Sequence, residues 1–137
     1  MPSVVVDSGP LFALVDQSDA AHLRAAQFLS TPGQTLVANL PVLTEVVYLL
    51  NYSGMAHCAF LSWASEAITI DQQTTSDLGR MVEIMAKYAD LPADFADASL
   101  LALCERRGIE RIATFDKDFA ICRLANHKAL ANVIAKT

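Results

Sequence analysis

A chain of 137 residues has the length of one ordinary domain, and 53% apolar residues with a mean hydropathy of +0.33 exclude disorder. No run reaches the roughly 18 consecutive apolar residues of a membrane span, and the opening residues 1–7 lack the basic region of a signal peptide. A net charge of −5 argues alone against a nucleic-acid partner, but the charge is uneven: residues 106–137 carry seven basic against three acidic residues, residues 1–105 three against twelve.

In chain order, the β-branched residues 4–6 predict a buried strand, ended by Asp7-Ser8-Gly9-Pro10, with a short apolar helix over 11–15. Ser18 or Asp19 caps a helix running to about Leu29 and stopped near Pro32-Gly33. Residues 36–38 form a second strand. Asn39 then caps a helix with Pro41 in its first turn, running to about Asn51 and burying Leu43, Val46, Val47 and Leu50. A short helix over 56–66 precedes a strand at 68–70. Thr74 and Asp77 resemble a capping box for a helix with apolar residues at 78, 81, 82, 85 and 88. The next helix starts at Pro92-Ala93-Asp94 and ends at Gly108, after Arg106 and Arg107. Residues 112–114 and 132–134 supply the last strands. There is no internal repeat or flexible linker, so the reading is a single domain over 1–137. Strands alternating with helices predict an α/β fold with a mainly parallel sheet.

Connection rules then place four acids together. Ligands of such sheets bind beyond the carboxyl ends of the strands. Asp7 and Asp116 each follow a predicted strand, Glu45 lies early in a helix that leaves the same edge, and the helix carrying Asp97 must run back across the sheet from it. Taken singly, each has a plainer explanation. Asp7 is an ordinary turn residue, Asp94 a natural helix cap, Asp97 an acid favoured in a first turn, and Asp116 and Asp118 turn acids. Glu45, among Val42, Leu43, Val46 and Val47, lies either on an exposed flank or in a polar pocket. The joint pattern favours chemistry. Carboxylates crowded in one cleft need raised pKa values or a cation, and an all-oxygen donor set suits Mg²⁺ or Mn²⁺. Such an ion activates water and stabilises charge on a phosphodiester.

Other chemistries fit less well. His22, His57 and His127 form no metal or triad spacing, and there is no glycine-rich phosphate loop. Trp63 and the other aromatics lack the spacing of an RNA-stacking surface and read as core. Cys58, Cys104 and Cys122 lack paired zinc spacing and read as buried thiols of a reducing compartment, the cytoplasm. The basic tail is either solvated helix ends and loops or a surface facing RNA.

Four segments resemble the motifs of the PIN-domain family, in the family's order and over nearly the whole chain. They are Val4-Val5-Val6-Asp7-Ser8-Gly9-Pro10-Leu11; the stretch from Asn39 through Glu45 to Leu50; the stretch from Leu91 through Asp94 and Asp97 to Leu103; and Ile112-Ala113-Thr114-Phe115-Asp116-Lys117-Asp118-Phe119. The resemblance implies a three-layer α/β/α Rossmann-like fold and Mg²⁺- or Mn²⁺-dependent endoribonuclease activity. It places Asp7, Glu45, Asp97 and Asp116 as catalytic and metal-binding acids. Asp94 either shares the metal or only caps its helix, while Ser8 and Thr114 add hydroxyls around the site. A bare PIN domain of this length looks like the VapC-type toxins of bacterial toxin–antitoxin pairs. That likeness implies an RNA substrate, a homodimer and a protein antitoxin that blocks the acidic cleft.

The competing reading is a catalytically silent PIN-like module that binds protein or RNA. A receiver domain would need an adjacent acidic pair after the first strand, where Ser8 stands. An Asp-x-Asp phosphatase would need an acid at Gly9.

Overall fold

The computed structural model describes residues 1–51, 53–91 and 93–134. Its centre is β1 (Ser3–Val6), whose Val4, Val5 and Val6 are wholly buried, as a strand covered on both faces must be. β1 lies between β2 (Thr35–Asn39) and β4 (Arg111–Ala113). β3 (Ile68–Asp71) and β5 (Ala131–Asn132) form the edges, and all four pairings are parallel in the order β3-β2-β1-β4-β5. Val5 pairs with Val37 on one side and with Ile112 on the other. Helices flank this sheet, giving the predicted α/β architecture.

The strand order has a functional consequence. From β1 the chain adds strands in one direction through β2 and β3, then returns to place β4 on the other side of β1. The carboxyl ends of β1 and β4 therefore form the switch point at which open parallel sheets bind ligands.

The helices follow from local sequence. α1 (Ser8–Val15) starts at Asp7, whose side chain accepts from the Ser8 amide. Asn39 caps α3 (Leu40–Leu49) by accepting from the Val42 amide, and its side-chain nitrogen donates to Ser99 Oγ at 3.0 Å in the core. α4 (Gly54–Ala67) is capped by Ser53. α6 (Phe95–Arg107) opens with a capping box between Asp94 and Asp97 and ends at Gly108, which takes the left-handed conformation at φ +65°. Residues 98–104 of α6 are buried without interruption, so α6 is enclosed rather than amphipathic.

Several expectations need correction. α2 (His22–Leu29) begins later than a Ser18 or Asp19 cap implies. Asp16 and Asp19 instead hold the preceding turns, accepting from the Ser18 and Ala21 amides respectively. Val47 is only half-buried. Thr74–Asp77 is a separate single-turn helix ahead of α5 (Leu78–Lys87), with no capping box, because the Asp77 carboxylate is taken by Arg106. α5 buries Met81 and Ile84, leaving Leu78, Val82 and Met85 as an exposed apolar stripe, Val82 at 68% exposure. Pro92, read as a helix start, lies outside the described residues. Cys58 is exposed, unlike Cys104 and Cys122.

Arg106 joins distant parts of the chain. Its Nη2 is 2.7 Å from Asp71 Oδ2 and its Nε 2.8 Å from Asp77 Oδ1, both carboxylates being buried. Burial alone would raise the Asp71 pKa, but the hydrogen bonds and charge of Arg106 outweigh it and hold Asp71 below the usual carboxylate range.

Candidate functional site

Asp7 is the best-fixed of the four acids. It leaves β1 with its amide donating to the Ala113 carbonyl of β4, and its side chain is only 5% exposed. One carboxylate oxygen accepts from the Ser8 amide at 2.8 Å and the other from Thr114 Oγ1 at 2.8 Å. Thr114 Oγ1 in turn accepts from the Asp116 amide at 2.9 Å. One threonine thus orients acids from the ends of both central strands. Thr114 is itself held by Asn132, whose Oδ1 accepts from its amide and whose Nδ2 donates to its carbonyl.

Ser8 Oγ donates to Glu45 Oε1, tying α1 to α3 at the same edge. The Asp94 carboxylate accepts from the Asp97 amide at 2.9 Å, and Asp97 Oδ2 accepts from the Asp94 amide at 3.2 Å. Asp94 is therefore a helix cap in fact. Asp97 and Asp116 also line a common crevice with Asp118, whose amide donates to Asp116 Oδ1.

The electrostatics show that these groups sense one another. Burial raises the Asp7 pKa, and the charges of Asp116 and Asp94 add to the rise against the hydrogen bonds from Thr114 and Ser8. Burial also raises Glu45, with Asp94 and Asp7 adding to it and the Ser8 hydroxyl opposing. Burial, followed by the charges of Asp94, Asp7 and Asp116, pushes Asp97 up to about 7 against the hydrogen bond from the Asp94 amide. Negative charge gathered this way favours a cation.

The donor set fits a hard divalent ion, though not as a closed cage. Among the described residues, no three His, Cys, Asp or Glu side chains are grouped so that they could hold one ion. Mg²⁺ does not require such a cage, since it keeps several waters and is commonly bound through one or two carboxylates.

Sequence reasoning missed the site's flanks. A groove of about 640 Å³ runs beside Glu45 and Asp94, with Leu40, Tyr48 and Phe95 among its walls. Tyr48 is 72% and Phe95 51% exposed, so these two aromatics are not core. The signal for Tyr48 was its spacing, three residues after Glu45 and on the same helix face. Trp63 does pack inward, 6.4 Å from Phe60. His22 is satisfied by the Ala13 carbonyl at 2.8 Å, whereas His57 Nε2 is buried with no partner among the described residues. Several cations of the basic tail are engaged within the fold. Arg106 pairs with buried acids, Lys128 with Glu110, and Arg123 Nη1 donates to the carbonyls of residues 120–122, while Lys136 lies outside the described residues.

Comparison with known proteins agrees with this geometry. The PIN domain model matches residues 4–124. No curated protein matches the chain. VapC20 of Mycobacterium tuberculosis, described as a Sarcin-Ricin loop cleaving toxin, is similar with a TM-score of 0.79 at 24% identity, over 86% of this chain and 93% of that one. VapBC2 of Rickettsia felis, solved with a DNA fragment from its promoter, has a TM-score of 0.60 at 12% identity, over 85% and 90%. At these identities the two structures bear on the fold alone. The family match covers most of the chain and includes Asp7, Glu45, Asp97 and Asp116, and the chain belongs to the PIN domain family.

Proposed function

We propose that this PIN domain is a metal-dependent endoribonuclease, the toxin of a VapBC-like toxin–antitoxin pair, with Asp7, Glu45, Asp97 and Asp116 as its catalytic and metal-binding acids. The observation that carries the reading is the set of carboxylates at the β1/β4 switch point, three of them with pKa values raised by burial and by one another. Mg²⁺, or Mn²⁺ in its place, bound there would polarise the phosphodiester and lower the pKa of a water nucleophile. The chain's own residues would set the positions. Thr114 and the Ser8 amide fix the rotamer of Asp7, and the Ser8 hydroxyl aims Glu45. The capping box places Asp97 at the start of α6, and the Thr114–Asn132 bonds hold the turn that carries Asp116. Asp94 serves in this reading as the cap that sets Asp97, with its charge adding to the pull on the ion.

Further parts of the proposal rest on surfaces. The apolar groove beside Glu45 suits a protein antitoxin that covers the acids, and the exposed stripe of α5 suits a second copy of the chain. The five strands share one sheet, and β1 to β4 contribute to one core cluster, which supports reading 1–137 as a single domain. No helix among the described residues is long and apolar enough to cross a membrane, and we place the protein in the cytoplasm, where RNA and antitoxin would meet it.

The test is cleavage of a labelled structured RNA with Mn²⁺, with EDTA, and by Asp7→Asn protein. The expected result is cleavage that needs both the metal and Asp7. The second reading, a silent binding module, is favoured by the engagement of Asp94 and Asp97 in helix capping. Absence of both cleavage and Mn²⁺ binding would establish it instead.

A further inference from the structure

Asp116 forms one wall of a separate hollow of about 170 Å³, whose other walls are Arg24, Thr114, Phe115, Lys117 and Asn132. Two cations therefore stand beside an acid of the cluster. The Arg24 guanidinium carbon is 4.6 Å from the Phe115 ring centroid. That ring is seated on Gly9, where an ideal Cβ would meet it at 3.4 Å. Stacking on a ring steadies a guanidinium and leaves its in-plane N–H donors available at the edge. Arg24 Nε is buried and has no hydrogen-bond partner among the described residues, so the group is held in place without an acceptor.

Position rather than pairing separates these two cations from the others: Lys87, Arg111 and Arg123 also lack an ion pair among the described residues, but only Arg24 and Lys117 of the basic residues line the hollow beside Asp116. Of the three basic residues before residue 106, Arg80 pairs with Glu105 and Glu83, and Lys87 lies over the Tyr88 ring. Neither Arg24 nor Lys117 forms an ion pair among the described residues, although both border the same hollow as Asp116. Asn132 is a wall rather than a ligand, because its amide is engaged at both ends by Thr114. A cluster of carboxylates repels the backbone of its own substrate, so a nuclease of this charge needs cations displaced to one side of the acids.

We propose that Arg24 and Lys117 form a phosphate subsite, holding a backbone phosphodiester of single-stranded RNA next to the one presented to the acids. The proposal rests on the ribonuclease reading above. Arg24 supplies directional N–H donors from its stacked position, and Lys117 supplies a mobile point charge from the turn after Asp116. Neither takes part in bond cleavage. Their effect is on substrate affinity and on which stretch of the strand reaches the acids.

The experiment compares wild type, Arg24→Gln, Arg24→Lys and Lys117→Gln for cleavage of a labelled single-stranded oligoribonucleotide in Mn²⁺ across a salt series. In parallel it measures binding of a non-cleavable 2′-O-methyl oligonucleotide by fluorescence anisotropy, with Mn²⁺ affinity and melting as controls. Each Gln variant is expected to raise KM about tenfold with kcat within about threefold, and to make the salt dependence shallower by about 0.7 in log–log slope, one lost phosphate contact. Arg24→Lys keeps the slope, and Mn²⁺ binding is not weakened in any variant. Wild-type KM and slope in both Gln variants, or a loss confined to kcat, would overturn the subsite while leaving the nuclease intact. If the wild type cuts nothing, the binding arm still decides. Weaker, less salt-sensitive binding by the Gln variants keeps the subsite, and unchanged binding removes it. If Arg24→Gln fails to fold, the exposed Lys117 carries the same test.

Discussion

Asp97→Asn tests the electrostatic account of the site without requiring a substrate. In the native chain the Asp97 pKa is about 7 against an ordinary 3.8. A folded-state value raised in this way means that the folded protein holds a proton the unfolded chain has released. The associated stability is fully present below about pH 4 and is lost as pH rises through about 7. Three units at about 1.4 kcal/mol each give a ceiling of about 4 kcal/mol, and solvent screening of a half-exposed carboxyl reduces this to about 2 kcal/mol. Asparagine keeps an oxygen to accept from the Asp94 amide, so the capping box survives. It forfeits a favourable charge at the start of α6, roughly 0.5 kcal/mol. In EDTA at about pH 8.5, Asp97→Asn should therefore be more stable by about 1.5 kcal/mol, some 5 °C in Tm. The gap should shrink steadily on acidification and vanish near pH 4. Mn²⁺ should reverse its sign by stabilising only the wild type. The assay is a set of thermal melts at stepped pH, with and without the ion. A variant less stable than wild type by the same margin at every pH would refute the reasoning and make Asp97 a helix-start residue only.

Three further outcomes follow from the same geometry. Thr114→Val leaves buried Asp7 without its hydroxyl donor and the Asp116 amide without its acceptor, so it should cost about 1–3 kcal/mol in urea unfolding and suppress RNA cleavage, whereas Thr114→Ser should retain most of both. Arg106→Ala strands the buried Asp71 and Asp77 carboxylates and should cost about 3–5 kcal/mol, measured by urea unfolding near neutral pH. Because Asp71 is held below its usual range, that penalty should shrink as pH falls through the carboxylate range, where the stabilisation is lost in the wild type too. Gly108→Ala forces a β-carbon into the left-handed region at φ +65° and should cost about 1 kcal/mol in the same assay, with Mn²⁺ binding unchanged.

The fold was legible where one signal governs. The valine run of β1, the Asn39 cap and the Asp94–Asp97 and Gly108 ends of α6 each have a local cause, and connection rules alone brought the four acids to one edge. Expectations failed where a long-range partner decided the outcome. Asp77 has the sequence of a capping residue, yet an arginine 29 positions later claims its buried carboxylate. The apolar residues of α5 have a helical period, but only Met81 and Ile84 of them reach the core, and Leu78, Val82 and Met85 face outward. Tyr48 and Phe95 could not be told from core by residue type, since only the third dimension shows that a groove opens between α3 and the start of α6. Arg24 was invisible for the same reason, its meaning depending on a ring 91 positions away.

The hydrogen bond from Thr114 to Asp7 also has a bearing on time. It closes a loop of 107 residues, and the threonine is clamped in turn by Asn132. As the chain is synthesised, Asp7, Glu45 and Asp97 have all emerged before Thr114 and Asn132, which complete the hold on Asp7, exist. Helical segments can form along the way, but β4 can dock beside β1 only after more than a hundred intervening residues have been made, and parallel pairing over such a separation is slow. A nascent or locally opened chain therefore carries the acids without their arrangement. On the proposed ribonuclease reading, cleavage would require the completed β1–β4 pairing, and fraying of the β4–β5 edge would release Thr114 from Asn132 and loosen the hold on Asp7.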